Sequence, residues 1–114
     1  MKICHGWFLL SAILVIGCAQ DGVYKEHYQN GNIKREISYK GGKKNGLTRS
    51  FYENGKVKAE VEFIDDKMFG KSSAYYETGE LQYESFYEDG KQVGYLTEYD
   101  KGGAIISEKE VKGE

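Results

Sequence analysis

The stretch Tyr52-Glu53-Asn54-Gly55-Lys56-Val57-Lys58-Ala59-Glu60-Val61-Glu62-Phe63 decides the fold. From Lys56 onward charged and apolar residues alternate without a break. That period of two gives a strand one apolar face and one wet face. Asn54-Gly55 stands just ahead of the run. Such a pair is the strongest short hairpin signal, because a type I′ turn needs positive φ at both central residues. A two-residue turn there predicts that Glu53 pairs with Lys56, Tyr52 with Val57, Ser50 with Ala59 and Thr48 with Val61. Aromatic then meets aliphatic, and opposite charges meet across the strands.

The surrounding sequence repeats this unit. Gly31, Gly55, Gly79 and Gly103 recur at intervals of 24 residues, and so do Gly22, Gly46, Gly70 and Gly94. Ile33, Val57, Leu81 and Ile105 form one apolar column at the same spacing, Tyr39, Phe63, Tyr87 and Val111 a second, and Glu36, Glu60, Glu84 and Glu108 an acidic one. A fixed period of this length marks a repeat architecture. The register of the first unit pairs Tyr28 with Ile33, Glu26 with Arg35 and Tyr24 with Ile37. Gly31, Gly55 and Gly79, and equally Gly46, Gly70 and Gly94, read as structural turn glycines. The last unit departs slightly: Tyr99 stands one residue earlier than the column of Tyr28, Tyr52 and Tyr76 predicts, and either Gly102 or Gly103 could turn the chain.

The expected fold is therefore all-β, an elongated single-layer antiparallel β-meander of eight strands in about four 24-residue hairpin repeats. The repeats are 22–45, 46–69, 70–93 and 94–114. The absence of proline against 15 glycines agrees, since proline interrupts a strand ladder. Eight strands could also curl into a small barrel with a packed interior, built from the same hairpins.

Ahead of the repeats, Trp7 to Gly17 is an apolar run preceded by Lys2 and His5. It is too short to span a bilayer, which takes about 20 residues, and fits the hydrophobic region of a secretory signal peptide. The run closes on Val15-Ile16-Gly17-Cys18, which resembles the lipobox of bacterial lipoproteins. The resemblance implies that residues 1–17 are cleaved, that Cys18 is lipidated, and that 18–21 form a short tether. Two or more acyl chains suffice for stable anchoring. The protein is thus expected to be exported and held on the membrane by lipid at Cys18. Ala19 stands where an aspartate would resemble an inner-membrane retention signal, so the outer membrane is the expected destination in a cell that has one. Cys4 leaves with the leader, so no thiol pair remains for a disulfide or a metal.

The units Tyr52-Glu53-Asn54-Gly55-Lys56-Val57 and their junctions at Asn45-Gly46 resemble MORN (membrane occupation and recognition nexus) repeats in their bacterial variant, over residues 22 to about 111. The resemblance implies an elongated, twisted, single-layer sheet. It also implies a role as an antitoxin-like protein, a label applied to many family members.

The residues suggest no catalysis. A nucleophile with its base, a metal set or paired carboxylates in a cleft is missing, and no cofactor or metal is expected. His27 shares a column with Phe51 and Tyr75 and reads as a structural substitution. Asp65 and Asp66 read as turn acids, since a calcium loop needs more oxygen ligands. Glu60, Glu84 and Glu108 read as a charged face balancing Lys58 and its neighbours. Lys43 and Lys44 read as turn solvation, or as contacts to anionic headgroups. A net charge of −2, one unit more negative without Lys2, disfavours nucleic acid, which needs a basic stripe.

The aromatic residues are more informative: of the 10 tyrosines all follow the leader, and Phe51-Tyr52 and Tyr75-Tyr76 are adjacent pairs that ring both faces of a sheet. Tyr28, Tyr52 and Tyr76 could form an internal stacking spine. Together with Phe63, Tyr83 and Tyr87 they could equally form a binding face, because a single layer leaves apolar area uncovered. The expected function is a membrane-anchored, non-enzymatic protein-interaction module of antitoxin-like or immunity type, with a protein partner in the cell envelope. An envelope structural or carbohydrate-binding protein, using the aromatic rows as sugar platforms, is the alternative.

Overall fold

A computed structural model describes residues 20–112. The leader and Cys18 lie outside the described residues. Eight strands follow one another: β1 (Gly22–His27), β2 (Ile33–Lys40), β3 (Lys43–Phe51), β4 (Val57–Ile64), β5 (Lys67–Tyr75), β6 (Leu81–Glu88), β7 (Lys91–Tyr99) and β8 (Ile105–Val111). They form a single antiparallel sheet in sequence order, so among the described residues β1 and β8 are free edges and the sheet does not close into a barrel. The radius of gyration is 17.4 Å, against about 13 Å for a compact chain of this length. The meander read from the sequence is present.

Two kinds of turn alternate, and the type I′ turns are not at the Asn-Gly pairs, where the sequence predicts them. At one end of the sheet Lys40 pairs with Lys43, Ile64 with Lys67 and Glu88 with Lys91 across two-residue loops. Both central residues there have positive φ: Gly41 and Gly42, Asp65 and Asp66, Asp89 and Gly90. These are the type I′ turns.

At the other end, where Asn30-Gly31 and Asn54-Gly55 stand, only the glycine has positive φ. Gly55 N–H donates to the Tyr52 carbonyl (3.0 Å) and Tyr52 N–H to the Lys56 carbonyl (2.8 Å). That is a three-residue loop, a turn followed by a glycine bulge. Tyr28, Tyr76 and Asp100 open equivalent loops. Tyr52 therefore does not pair with Val57. Phe51 does, and a register shift follows between Ser50 and Phe51. The shift cancels the longer loop, so Ser50↔Ala59 and Thr48↔Val61 stand as expected, and so do Glu26↔Arg35 and Tyr24↔Ile37.

Gly103, with φ 86°, is the turn glycine of the last hairpin. Tyr99 is not displaced: it belongs to the His27, Phe51 and Tyr75 column, and Asp100 occupies the place of the spine tyrosine. Asp100 Oδ1 accepts from Gly102 N–H and Ala104 N–H, both at 2.9 Å, and so holds its own loop.

Gly46, Gly70 and Gly94 are not in turns but inside β3, β5 and β7, at φ 98°, 71° and 70°. Each sits where its strand carries two residues more than the strand before it. Ile37 pairs with Thr48 but Tyr39 with Lys44; Val61 with Ser72 but Glu62 with Phe69; Glu84 with Thr97 but Phe86 with Val93. Such bulges bend the strand and increase the local twist. At Gly46 a Cβ would meet Ser38 Cβ at 3.4 Å, an ordinary contact, so it is the positive φ that calls for glycine there.

Pairing parity sorts the side chains onto two faces. One carries Ile37, Val61, Tyr39, Phe63 and Tyr87; the other carries Glu36, Glu60, Glu84 and Glu108. Ile37 is the one buried hydrophobic residue among those described, and most other apolar side chains are half-covered by their neighbours.

Candidate interaction face

The three column tyrosines bind the molecule's own backbone. Tyr28 Oη donates to the Phe51 carbonyl (2.6 Å), Tyr52 Oη to the Tyr75 carbonyl (2.6 Å) and Tyr76 Oη to the Tyr99 carbonyl (2.8 Å). Each hydroxyl thus ties its hairpin to the next one. Lys34, Lys58 and Lys101 place their ammonium groups 5.7, 5.7 and 5.6 Å from the centres of the Tyr28, Tyr52 and Tyr76 rings, covering them further. Asparagine amides add to the tie: Asn30 and Asn32 both donate to the Glu53 carbonyl, and Asn54 to the Glu77 carbonyl. Asn54 Oδ1 also accepts from Lys56 N–H at 2.9 Å, within its own loop.

Phe63 and Tyr87 are half-buried on the face opposite the glutamates, where Phe63 pairs with Gly46 and Met68 and lies 5.0 Å beneath the Lys44 ammonium. Tyr83 is exposed on that same face and donates to Glu98 Oε1. The six aromatic residues singled out in the sequence therefore do not form one surface.

The glutamate column is an internal ladder. Tyr75 Oη donates to Glu60 Oε1 (2.8 Å) and Tyr99 Oη to Glu84 Oε2 (3.2 Å). Lys71 reaches Glu84 at 2.8 Å and Lys25 reaches Glu36 at 3.7 Å. Burial and then the Glu60 carboxylate push the Tyr75 phenol up. Burial and Glu84 do the same for Tyr99. The hydrogen bond to Glu84 holds the Lys71 ammonium above its ordinary range. Lys58 does not balance this column; it covers Tyr52. His27, exposed, keeps its place in the aromatic column, and Asp65 and Asp66 serve the turn network: Asp65 Oδ1 accepts from Asn45 Nδ2, and Asp66 Oδ1 accepts from Lys44 N–H while the Asp66 N–H donates to the Lys44 carbonyl. Among the described residues no group of three or more His, Cys, Asp or Glu could hold a metal.

The face that is open for contact lies elsewhere. Ile64, Phe69, Phe86 and Tyr95 are 49%, 44%, 42% and 49% exposed, and pairing puts all four on the glutamate face near the type I′ turns. Ile64 and Phe69 line a concavity of about 240 Å³ with Lys67, Met68 and Asp89, and Lys67 and Asp89 form a 3.1 Å ion pair at its rim. Sequence reading missed this group, although a signal was present. Phe86 interrupts a column of Ser38, Glu62 and Glu110, and Ile64 one of Lys40 and Glu88. A large apolar residue at a position that other repeats keep polar is the mark of a surface not required by the scaffold.

The chain enters the sheet at the same end. Gly42 N–H donates to the Gln20 carbonyl (3.0 Å) and Gly41 N–H to Asp21 Oδ1 (2.6 Å), which pins residues 20 and 21 to the β2–β3 turn.

In comparisons with known proteins, the family model described as "MORN repeat variant" matches residues 20–40, 44–65 and 70–91, together more than half of the chain. Each matched segment corresponds to one of the first three hairpins. No curated protein and no solved structure matches the chain.

Proposed function

The chain belongs to the MORN repeat variant family, and on that premise we propose that it is a lipid-anchored, non-enzymatic module that captures a protein partner in the cell envelope, as an antitoxin-like or immunity-type neutraliser. One observation carries the capture role: the apolar stripe of Ile64, Phe69, Phe86 and Tyr95 stands uncovered on a sheet with a single buried hydrophobic side chain. A contiguous apolar patch rimmed by charges is the usual form of a docking surface. Aromatic side chains are the residues that most often dominate such contacts. The scaffold does not use these four side chains for its repeat-to-repeat hydrogen bonds.

The anchor is supported by Val15-Ile16-Gly17-Cys18 closing an apolar run. Cys18 precedes Gln20 by two residues, a reach of about 7 Å. With Cys18 lipidated, the type I′ turns and the apolar stripe beside them face the membrane-proximal zone, where an envelope partner is met.

The test is crosslinking mass spectrometry on intact cells, comparing the wild type with Phe69→Lys and Phe86→Lys at matched abundance. One dominant partner, lost in both variants while circular dichroism stays β-type, is the expected result. Unchanged crosslinks overturn the stripe as the capture surface. Retention on purified cell-wall polysaccharide after protein is stripped away assigns the aromatic rows to carbohydrate instead. Labelling with an azido fatty acid, expected on the wild type and absent from Cys18→Ala, tests the anchor separately.

A further inference from the structure

The two free edges, β1 and β8, are complementary to each other in the register that the repeats use internally. Within the sheet Glu36 pairs with Arg49, Glu60 with Ser73 and Glu84 with Thr97 across the β2–β3, β4–β5 and β6–β7 junctions. One period on, the residue of β8 in this column is Glu108, and the column of Arg49, Ser73 and Thr97 begins with Lys25 of β1. The same offset sets Ser107 opposite Glu26 and Lys109 opposite Tyr24. Inside the sheet Glu60 and Glu84 also receive the hydroxyls of Tyr75 and Tyr99 from the following odd strand. In β1 that column position is His27. Among the described residues no donor reaches Glu108, and the place that Lys71 takes beside Glu84 is taken by Tyr95.

β1 is also shaped for a preceding strand. Gly22 holds φ 102°, as Gly46 holds 98°. Gly46, Gly70 and Gly94 use that conformation to form bulges against the strand before them. Gly22 keeps it although, among the described residues, no strand precedes β1.

From this we infer that β8 of one copy adds to β1 of a second copy in the internal register, with Glu108 facing Lys25 and His27 of the neighbouring copy. The contact is head-to-tail, so it is open-ended unless the rotation between copies closes a ring. It is weaker than the junctions inside the chain, because Asp100, Gly102 and Ala104 stand where Tyr28, Asn30 and Asn32 supply donors to the next hairpin. The association is therefore reversible, and salt weakens it.

The experiment is sedimentation velocity of the full chain in detergent at low ionic strength, over a concentration series. The expected result is a mass that rises with concentration, an association about tenfold weaker in Glu108→Lys and in Lys25→Glu, and recovery when the two charges are exchanged in one chain. Zero-length carbodiimide coupling of the wild type gives a second readout: Lys25 and Glu108 lie at opposite edges of one sheet, so a peptide joining them comes from two copies. A monomer at every concentration overturns the inference. So does association that ignores both single charge reversals, a charge exchange no better than the single variants, or coupling products without the Lys25–Glu108 link.

Discussion

The hydroxyl of Tyr52 donates a 2.6 Å hydrogen bond to the backbone carbonyl of Tyr75, one hairpin further along the sheet. The bond joins residues 23 apart in sequence, and it does for a single-layer sheet what a buried core does in a two-layered one. It makes one repeat depend on the next. Tyr52→Phe keeps the ring and removes the bond, so a loss of about 1 kcal/mol is expected in urea unfolding. Tyr28→Phe is expected to match it. Tyr52→Lys removes the ring as well, so it reports on stability rather than on partner capture.

Gly46 has φ 98° and a Cβ would lie 3.4 Å from Ser38 Cβ. Gly46→Ala is expected to cost at least about 1 kcal/mol from backbone conformation alone. Gly70→Ala carries the smaller conformational strain, because its φ of 71° lies nearer the left-handed well at about 57°. A smaller fall in urea midpoint for Gly70→Ala than for Gly46→Ala checks the difference.

Thr48 Oγ1 is buried without a hydrogen-bond partner. It lies on the face of Ile37 and Val61, with which Thr48 pairs. Thr48→Val replaces the hydroxyl by a methyl of similar shape, and a gain of about 1 kcal/mol is expected. An unchanged or lower unfolding midpoint contradicts it.

Tyr75 and Tyr99 have phenols raised above their ordinary value in the folded state, by burial first and then by Glu60 and Glu84. The folded protein holds these protons more tightly than the unfolded chain, so the associated stability is complete below the unfolded phenol range, about pH 10, and is lost as pH rises through the folded values. Lys71, raised by its bond to Glu84, acts in the same direction and window. Urea midpoints are therefore expected to fall as pH rises above about 10. Tyr75→Phe with Tyr99→Phe should flatten that fall.

Asp100 Oδ1 accepts two backbone N–H groups of its own loop. Asp100→Ala removes both bonds, and about 1 kcal/mol of local stability is expected to go with them. Hydrogen exchange should show faster amides in β7 and β8 and little change in β2 to β5.

What the sequence made legible was set by the period. Strand number, antiparallel order and distant pairs such as Thr48↔Val61 follow from columns of like residues, and the structure has them. The loop at Asn54-Gly55 was not legible, because a glycine with positive φ serves a three-residue loop with a bulge as readily as a type I′ turn. Gly46 looked like a turn residue for the same reason: positive φ serves a bulge as readily as a turn. The aromatic residues were legible as a class but not by role. Tyr52 and Phe86 look alike in composition, and only the carbonyl within reach of Tyr52 separates scaffold from surface. Phe86 stood out as an exception to its own column, a signal that reading for regularity passes over.

The donors that the loops opening at Tyr28, Tyr52 and Tyr76 send to a neighbouring hairpin all point one way along the chain, while Tyr75 and Tyr99 on the strands donate back to Glu60 and Glu84. Tyr28, Asn30 and Asn32 serve the second hairpin, Tyr52, Asn54 and Lys56 the third, and Tyr76 alone contributes its hydroxyl to the fourth. Strands are paired only with their neighbours in sequence. As the chain emerges from the ribosome, each completed hairpin already holds out the groups that catch the one being made. Assembly then runs as a zipper from the first hairpin, and unfolding retraces it from β8.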